Sequence, residues 1–379
     1  MNVLFEVLSN TAIENVITCL NFKFKKIVFF GFKKNLVSMQ AKTSNFLKKY
    51  CKVSDIDYCL LSKEDPNSIF DEIELQVINH KNEGNDIFVD VTGGEDISLL
   101  MLGKVAYKHD LSINYYDLYN DKLYDINNKL NDFVSKSKLK RQNIKLNIDM
   151  ILEANGMVIN YDQDKSYQYL LDDEFEQDIY KISRIIDEYN VSWTKFTSEF
   201  YKGFDYETSV ARITKDKYEE LKFGVYSGVI EALRDERIVY NIENKNNTYS
   251  FRFKNDMIKR LFLDGGAVLE YLVFFKEKSK SDDIKIGAHI DWDGLVTGHN
   301  DEVVNEIDVI TLNSYHLTFI SCKAGKLDIL KTYYELYALA RRLGDKYTKK
   351  ILVTKQEVTD TDLLRAKEMG ITVIYKKDL

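Results

Sequence analysis

One proline, four cysteines and no long apolar run in 379 residues exclude several classes of protein. The cysteines, Cys19, Cys51, Cys59 and Cys322, lie in separate apolar stretches without the spacing of a disulfide framework or a zinc site. Nothing at the amino terminus resembles a signal peptide, so a reduced, cytoplasmic protein is expected. The longest apolar runs, such as 26 to 32, fall far short of the ~20 residues that span a bilayer, and no membrane partner is expected. A net positive charge is lacking as well. The formal net charge of −7 argues against a surface coated for nonspecific nucleic-acid binding. The average hides an asymmetry, because residues 323 to 379 hold 13 Lys and Arg against 8 Asp and Glu. Nucleic acid, if bound, is expected there; solvated helix faces account for the same charges equally well.

Apolar and aromatic content suffices for cores, and the length suggests two or three domains. Residues 1 to 142 alternate strand and helix signals. Strands are expected at 3–8, 26–30, 56–61, 87–91, 113–118 and 122–126. Helices are expected at 11–20, capped by Asn10, at 36–50, at 68–80 behind Pro66, and at 95–109. Such alternation is the signature of an α/β, doubly wound, largely parallel sheet. Residues 131 to 147 are polar and rich in Lys and Asn, a linker or an exposed helix. From 143 to 260 the texture changes to helices (170–189, 191–201, 215–237) and a hairpin (237–241 with 248–253), a winged-helix-like connector. Its helices carry as many acids as bases, so a structural or dimerising role is favoured over DNA contact. Residues 261 to 379 read α-β-β-β-α-β with a further helix and strand.

The most informative chemistry lies in that last segment. Two adjacent apolar strands carry Asp308 and Lys323, and the stretch between them, with Asn313 and Ser314, reads as a hairpin turn. Strand alternation puts Glu306 on the face of Asp308, and Cys322 opposite Ser321 and Lys323. Carboxylate oxygens suit a hard cation, and phosphodiester hydrolysis also wants an amine beside the attacking water. Asp291 and Asp293, flanking Trp292, read as turn residues. Tyr333, Tyr334 and Tyr337 read as packing, with Arg341 and Arg342 able to contact phosphate.

This segment resembles the PD-(D/E)xK nuclease superfamily, a restriction-endonuclease-like fold. The resemblance implies Mg2+ or Mn2+ bound by Asp308, with Glu270 on the preceding helix as a further ligand, the Cys322 backbone carbonyl available to the metal, and Lys323 supporting the attacking water. Ser321 stands where that family has its second acid, so Glu306 or Glu270 must supply the missing charge.

In an open α/β sheet ligands bind at the carboxyl ends of the strands. There the amino-terminal domain places Ser9, Asn10 and Thr11, the Gly31–Phe32 turn, and Thr92, Gly93, Gly94, Glu95 and Asp96, whose amides at helix starts suit phosphate or ribose. Joined to the nuclease-like segment, this arrangement resembles the CARF-domain effectors of type III CRISPR systems, whose Rossmann-like sensor binds cyclic oligoadenylate and switches on a fused nuclease. The resemblance implies a homodimer with the ring-shaped activator across its axis. Cyclic tetra-adenylate is the expected activator, although Glu95 and Asp96 replace a small polar residue and a lysine of many relatives and leave ring size open. The implied substrates are DNA, cut single-stranded or nicked as duplex, and single-stranded RNA. The alternatives are a nucleotide-sensing DNA-binding regulator with a decayed nuclease domain, and a gated ribonuclease.

Overall fold

The computed structural model describes all residues except 63–64, 127–138, 161–170, 200–209, 293, 295–303, 326–327 and 344–346. Asp293 therefore lies outside the described residues.

The amino-terminal strands are β1 (Asn2–Val7), β2 (Lys26–Gly31), β3 (Asp55–Leu60), β4 (Asp86–Asp90), β5 (Ser112–Asp117) and β6 (Lys122–Asp125). They form one sheet in the order β3-β2-β1-β4-β5-β6, parallel except for the β5–β6 hairpin. Strand order reverses between β1 and β4, and a doubly wound sheet leaves a crevice at that switch point. The strands read as near-continuous apolar runs because helices cover both faces. One face packs around Leu4, Phe29 and Phe88, the other around Val3, Phe5 and Val89. The covering helices are α1 (Ile17–Asn21), α2 (Lys33–Phe46), α3 (Pro66–Asn82) and α4 (Asp96–Lys108). Asp65 caps α3 by accepting from the Ser68 amide, with Pro66 in the first turn, as its sequence dictates.

The helix expected at 11–20 is instead a 3₁₀ turn, Ala12–Asn15, followed by the short α1. Asn15 exchanges two hydrogen bonds with the Ser9 backbone, and Ser9 Oγ accepts from the Thr11 amide, which tightens the first turn. Asn10 caps nothing there; Thr11 holds the N-cap position.

Within the middle region α5 (Ile148–Ala154) leads into β7 (Val158–Ile159), which pairs antiparallel with a strand of the carboxy-terminal sheet. The start of the segment assigned to the connector thus adds an edge to its neighbour. The rest comprises α6 (Asp173–Glu188), α7 (Trp193–Ser198), β8 (Val210–Thr214), α8 (Lys215–Phe223), α9 (Val229–Asp235), β9 (Val239–Lys245), β10 (Thr248–Phe253) and α10 (Asp256–Leu263). Three antiparallel strands, β8-β10-β9, with helices against them give the winged-helix-like shape. β9 runs through to Lys245, beyond its expected end. Asn246 and Asn247 both take positive φ, 50° and 65°, and close a two-residue turn that matches strand twist.

The carboxy-terminal unit runs α11 (Ala267–Lys278), β11 (Asp283–Asp291), β12 (Val304–Asn313), β13 (His316–Lys323), α12 (Ile329–Arg342), β14 (Thr348–Thr354), α13 (Asp360–Glu368) and β15 (Ile371–Tyr375). Its sheet order is β15-β14-β13-β12-β11-β7. The first face, with Val309, Ile320 and Cys322, packs under α11 in a core shared with the connector, and the second, with Ile310, Leu317 and Phe319, packs under Tyr333 and Leu336 of α12. No helix among the described residues is long and apolar enough to cross a membrane.

Candidate active site and sensor loops

The β12–β13 ladder runs from Asn313↔His316 to Val309↔Ile320. At its end the Asp308 side chain takes over: the Cys322 amide donates to Asp308 Oδ2 at 2.6 Å, Ser321 Oγ at 3.2 Å and Lys323 Nζ at 3.4 Å. The two strands part there and open a cavity of about 200 Å³, lined by Glu306, Asp308, Ser321 and Lys323 from the sheet and Thr332 and Glu335 from α12. Thr332, Glu335, Leu336 and Leu339 reach it because i, i+3, i+4 and i+7 share one helix face.

Gly287 of β11 stands opposite Asp308 at φ 60°, with the same β11–β12 register on either side of it. A side chain there would be strained by backbone alone. Glu306 stands across from His289, with Oε2 3.7 Å from His289 Nε2.

Glu270 is placed differently from expectation, whereas the Cys322 side chain lies on the core face where alternation put it. α11 packs on the Cys322 face of the sheet, so Glu270, in its first turn, does not line the cavity. The Cys322 thiol lies in the core beneath α11. Burial, with the charges of Asp308 and Glu270 nearby, pushes it well above the ordinary thiol range, the opposite of what a thiolate ligand requires. Glu335 takes the position sequence reasoning gave to Glu270; its signal was the helical spacing from Thr332. Asp291 serves a turn, accepting from the Gly294 amide at 3.1 Å.

A hard divalent cation fits this donor set. Asp308 Oδ2 is engaged three times while Oδ1 has no hydrogen bond among the described residues, and Glu306, Glu335 and the Ser321 hydroxyl face the same small cavity. No three His, Cys, Asp or Glu side chains among the described residues are grouped tightly enough to enclose a metal.

At the sensor switch point the loops after β1 and β4 meet. Ser9 is buried, and its hydroxyl donates to Glu14 Oε2 at 2.6 Å. Thr92 is tied inward too: its amide and hydroxyl bond Asp90 Oδ1 at 2.8 and 2.5 Å, and its hydroxyl accepts from the Tyr116 amide. Asp90 is fully buried, also accepts from Thr18, and burial pushes it up to about 6. Ser9 and Thr92 therefore shape the loops, leaving Asn10 and Asp96 exposed and Thr11, Phe32, Gly94 and Glu95 half-buried at the rim.

The Gly93–Gly94 pair also has an internal reason. A Cβ on Gly93 would stand 2.4 Å from Glu14 Oε2, and one on Gly94 2.5 Å from Val7 Cγ1, with φ at 132°. Gly31 ends β2 and Phe32 caps α2, bringing exposed Lys33 and Lys34 to the same edge. Sequence reasoning passed over those two cations, although two lysines directly after a parallel strand were the available signal. Beneath the loops Glu6 is buried, and burial, then Asp90 and Glu14, push its carboxyl well above the usual range.

Residues 256–379 match the family model of the Card1-like endonuclease domain. Among solved structures the chain is similar to protein VC1899 from Vibrio cholerae (16% identity, TM-score 0.75, 99% of this chain and 94% of that one). It is also similar to Can2 from Sulfobacillus thermosulfidooxidans, solved in complex with cyclic tetra-adenylate (17%, 0.65, 98% and 93%). A third is a type III CRISPR defence DNA nuclease activated by cyclic oligoadenylate (13%, 0.54), of which the match spans 93% of this chain and 45% of that one. No curated protein sequence matches the chain. At these identities the likeness establishes the fold alone.

Proposed function

We propose that the chain is a cyclic-oligoadenylate-activated, metal-dependent nuclease of type III CRISPR defence. The observation that carries this reading is the Asp308 carboxylate gathering Ser321, Cys322 and Lys323 at the open end of a hairpin, inside a domain of endonuclease family. Asp308, with Glu306 or Glu335, would hold Mg2+ or Mn2+, which when bound supplies a Lewis acid and an acidified water. Lys323 keeps a positive charge 3.4 Å from Asp308, placed to stabilise a phosphodiester gaining negative charge. Ser321 orients Asp308 through its hydroxyl in place of a second acid. DNA, cut single-stranded or nicked, and single-stranded RNA are the proposed substrates.

The sensor grips the turn of the catalytic hairpin, which supports gating by the activator. Tyr116 and Tyr315 hydroxyls meet at 3.1 Å, Ser314 Oγ donates to Asp121 Oδ2 at 3.4 Å, and the Tyr119 ring lies 5.9 Å from that of His316. A ligand that binds one arrangement of this contact better than another shifts the hairpin with it. Asn10, Thr11, Phe32, Glu95 and Asp96 at the rim, with Lys33 and Lys34, are the proposed activator contacts, and the buried loop residues Ser9, Gly31, Thr92 and Gly93, with half-buried Gly94, set their geometry. A homodimer is proposed on the exposed apolar side of α4: Leu100 and Tyr107, with Ile126, border a hollow of about 970 Å³. Four free cysteines accord with a cytoplasmic location.

The test is cleavage of labelled DNA and RNA with Mg2+, with Mn2+ and with chelator, each with and without cyclic tetra-adenylate and cyclic hexa-adenylate. Cutting that needs both metal and one ring size supports the reading. Tight activator binding without cleavage of any substrate would replace it with a sensing regulator.

A further inference from the structure

A second concavity, of about 470 Å³, lies between the connector and the nuclease sheet, and its chemistry differs from that of the acidic cavity. Lys195 on α7 and Lys355 and Lys376 at the ends of β14 and β15 line it, with the hydroxyls of Ser192 and Thr194, and among the described residues no acid lines it. In a chain of net charge −7 this is a local concentration of one sign. Lys376 is committed to structure, bound to Asp187 Oδ1 at 2.6 Å and to the Ser183 carbonyl. Lys195 and Lys355 are exposed, and neither has a carboxylate partner among the described residues; Lys355 Nζ reaches only the Val191 carbonyl, at 3.4 Å.

The cleft adjoins the proposed catalytic lysine. Ala324 and Gly325, which follow Lys323, form part of its wall, and the Lys355 amide donates to the Lys323 carbonyl at 3.4 Å. Lys323 pairs in register with Thr354, the residue before Lys355. Alternation puts Lys323 on the α12 face of the sheet and Lys355 on the α11 face with Lys195 across the gap, so a strand reaches both by passing over the carboxyl ends of β13 and β14, beside Ala324 and Gly325. The gap is narrow by construction: a Cβ on Gly265 would stand 2.7 Å from Thr194 Cα, so only glycine lets α7 approach this closely.

We propose that this cleft is the path of the nucleic-acid substrate, a single-stranded phosphodiester backbone held by Lys195 and Lys355 with the Ser192 hydroxyl donating to a phosphate oxygen. Backbone contacts of this kind position a strand without reading its bases. The connector thereby becomes part of the substrate site. The proposal rests on the nuclease reading of the Asp308–Lys323 cavity.

The experiment is fluorescence anisotropy of labelled oligo-dT and oligo-U on the full chain in chelator, so that nothing is cut, over a salt series, with and without cyclic tetra-adenylate. Each of Lys195→Ala and Lys355→Ala is expected to weaken binding roughly 3- to 10-fold and to lower the slope of log affinity on log salt by about 0.7, the value for one phosphate of a single strand. Lys355→Arg should restore the slope. Activator affinity and melting temperature should match the native chain, which separates the result from misfolding. If the native chain binds the oligonucleotides and both alanine variants match it in affinity and slope, the cleft is not the path, and the nuclease reading stands. If the native chain neither binds nor, with metal, cuts any strand, the nuclease reading fails and takes this proposal with it.

Discussion

The Tyr347 hydroxyl of the nuclease domain donates to Glu14 Oε1 of the sensor at 2.9 Å, and the other oxygen of that carboxylate accepts from Ser9. Gly93 packs against the same side chain. One buried acid is thus touched by both loops of the sensor crevice and by the domain that would cut. Tyr347→Phe removes one hydrogen bond at a cost of about 1 kcal/mol. Activator affinity should stay within a few-fold while the ratio of stimulated to basal cleavage falls. An unchanged ratio in a folded variant would exclude this contact from the coupling.

Gly93→Ala addresses the loop itself. The added methyl would overlap Glu14, and relieving it should cost about 1–3 kcal/mol. Titration calorimetry with cyclic tetra-adenylate should show weakened binding, and thermal melting a lowered midpoint. Native values for both would mean that Glu14 moves aside freely.

Asp308→Ala and Lys323→Ala should each lower metal-dependent cleavage by on the order of 10²-fold or more, the usual cost of losing a group that stabilises developing charge. Activator binding, measured in parallel, should be untouched because the sensor crevice lies in another domain. Cleavage at the native rate would relocate the active site.

Ser321→Glu restores the acid that the nuclease superfamily carries at this position. Its carboxylate would face Asp308, now 3.2 Å from the Ser321 hydroxyl, and two acids so close repel unless a cation lies between them. Half-maximal activity should come at lower Mn2+ than in the native chain. Loss of activity would show that the present geometry depends on the smaller residue.

The buried Asp90 gives a pH dependence of known sign. Burial holds its folded pKa at about 6, above the ordinary 3.8, so the native state binds the proton more tightly than the unfolded chain. The stability this contributes is present below the unfolded value and is lost as pH rises from about 4 to about 6. In Asp90→Asn that loss should vanish, so the melting difference between the two proteins should drift in favour of the variant across this window and level off above it. A constant difference from pH 4 to pH 7 would place the Asp90 pKa elsewhere.

Much of the architecture was legible in the residues. Apolar runs and turn residues located nearly every strand of the sensor and nuclease sheets, because a strand buried on both faces has little freedom of composition. β8 and β7 were missed: one is a five-residue strand and the other a two-residue edge pairing, too short for periodicity to register. The hairpin turn followed from Asn313 and Ser314, and the pairing of Glu306 with Asp308 and of Ser321 with Lys323 on one side of each strand followed from alternation.

What the sequence determined by itself is local: periodicity, turn chemistry, and which side of its own strand each residue takes. Which helix faces the acids was decided by tertiary packing, and it brought Glu335 to the cavity while leaving Glu270 on the far side of the sheet. Packing likewise turned Ser9 and Thr92 inward, joined Glu14 to Tyr347 across more than three hundred residues, and set Lys195 beside Lys355. Sequence spacing carries no record of such meetings, because they depend on how separately folded layers close on one another to bury apolar surface.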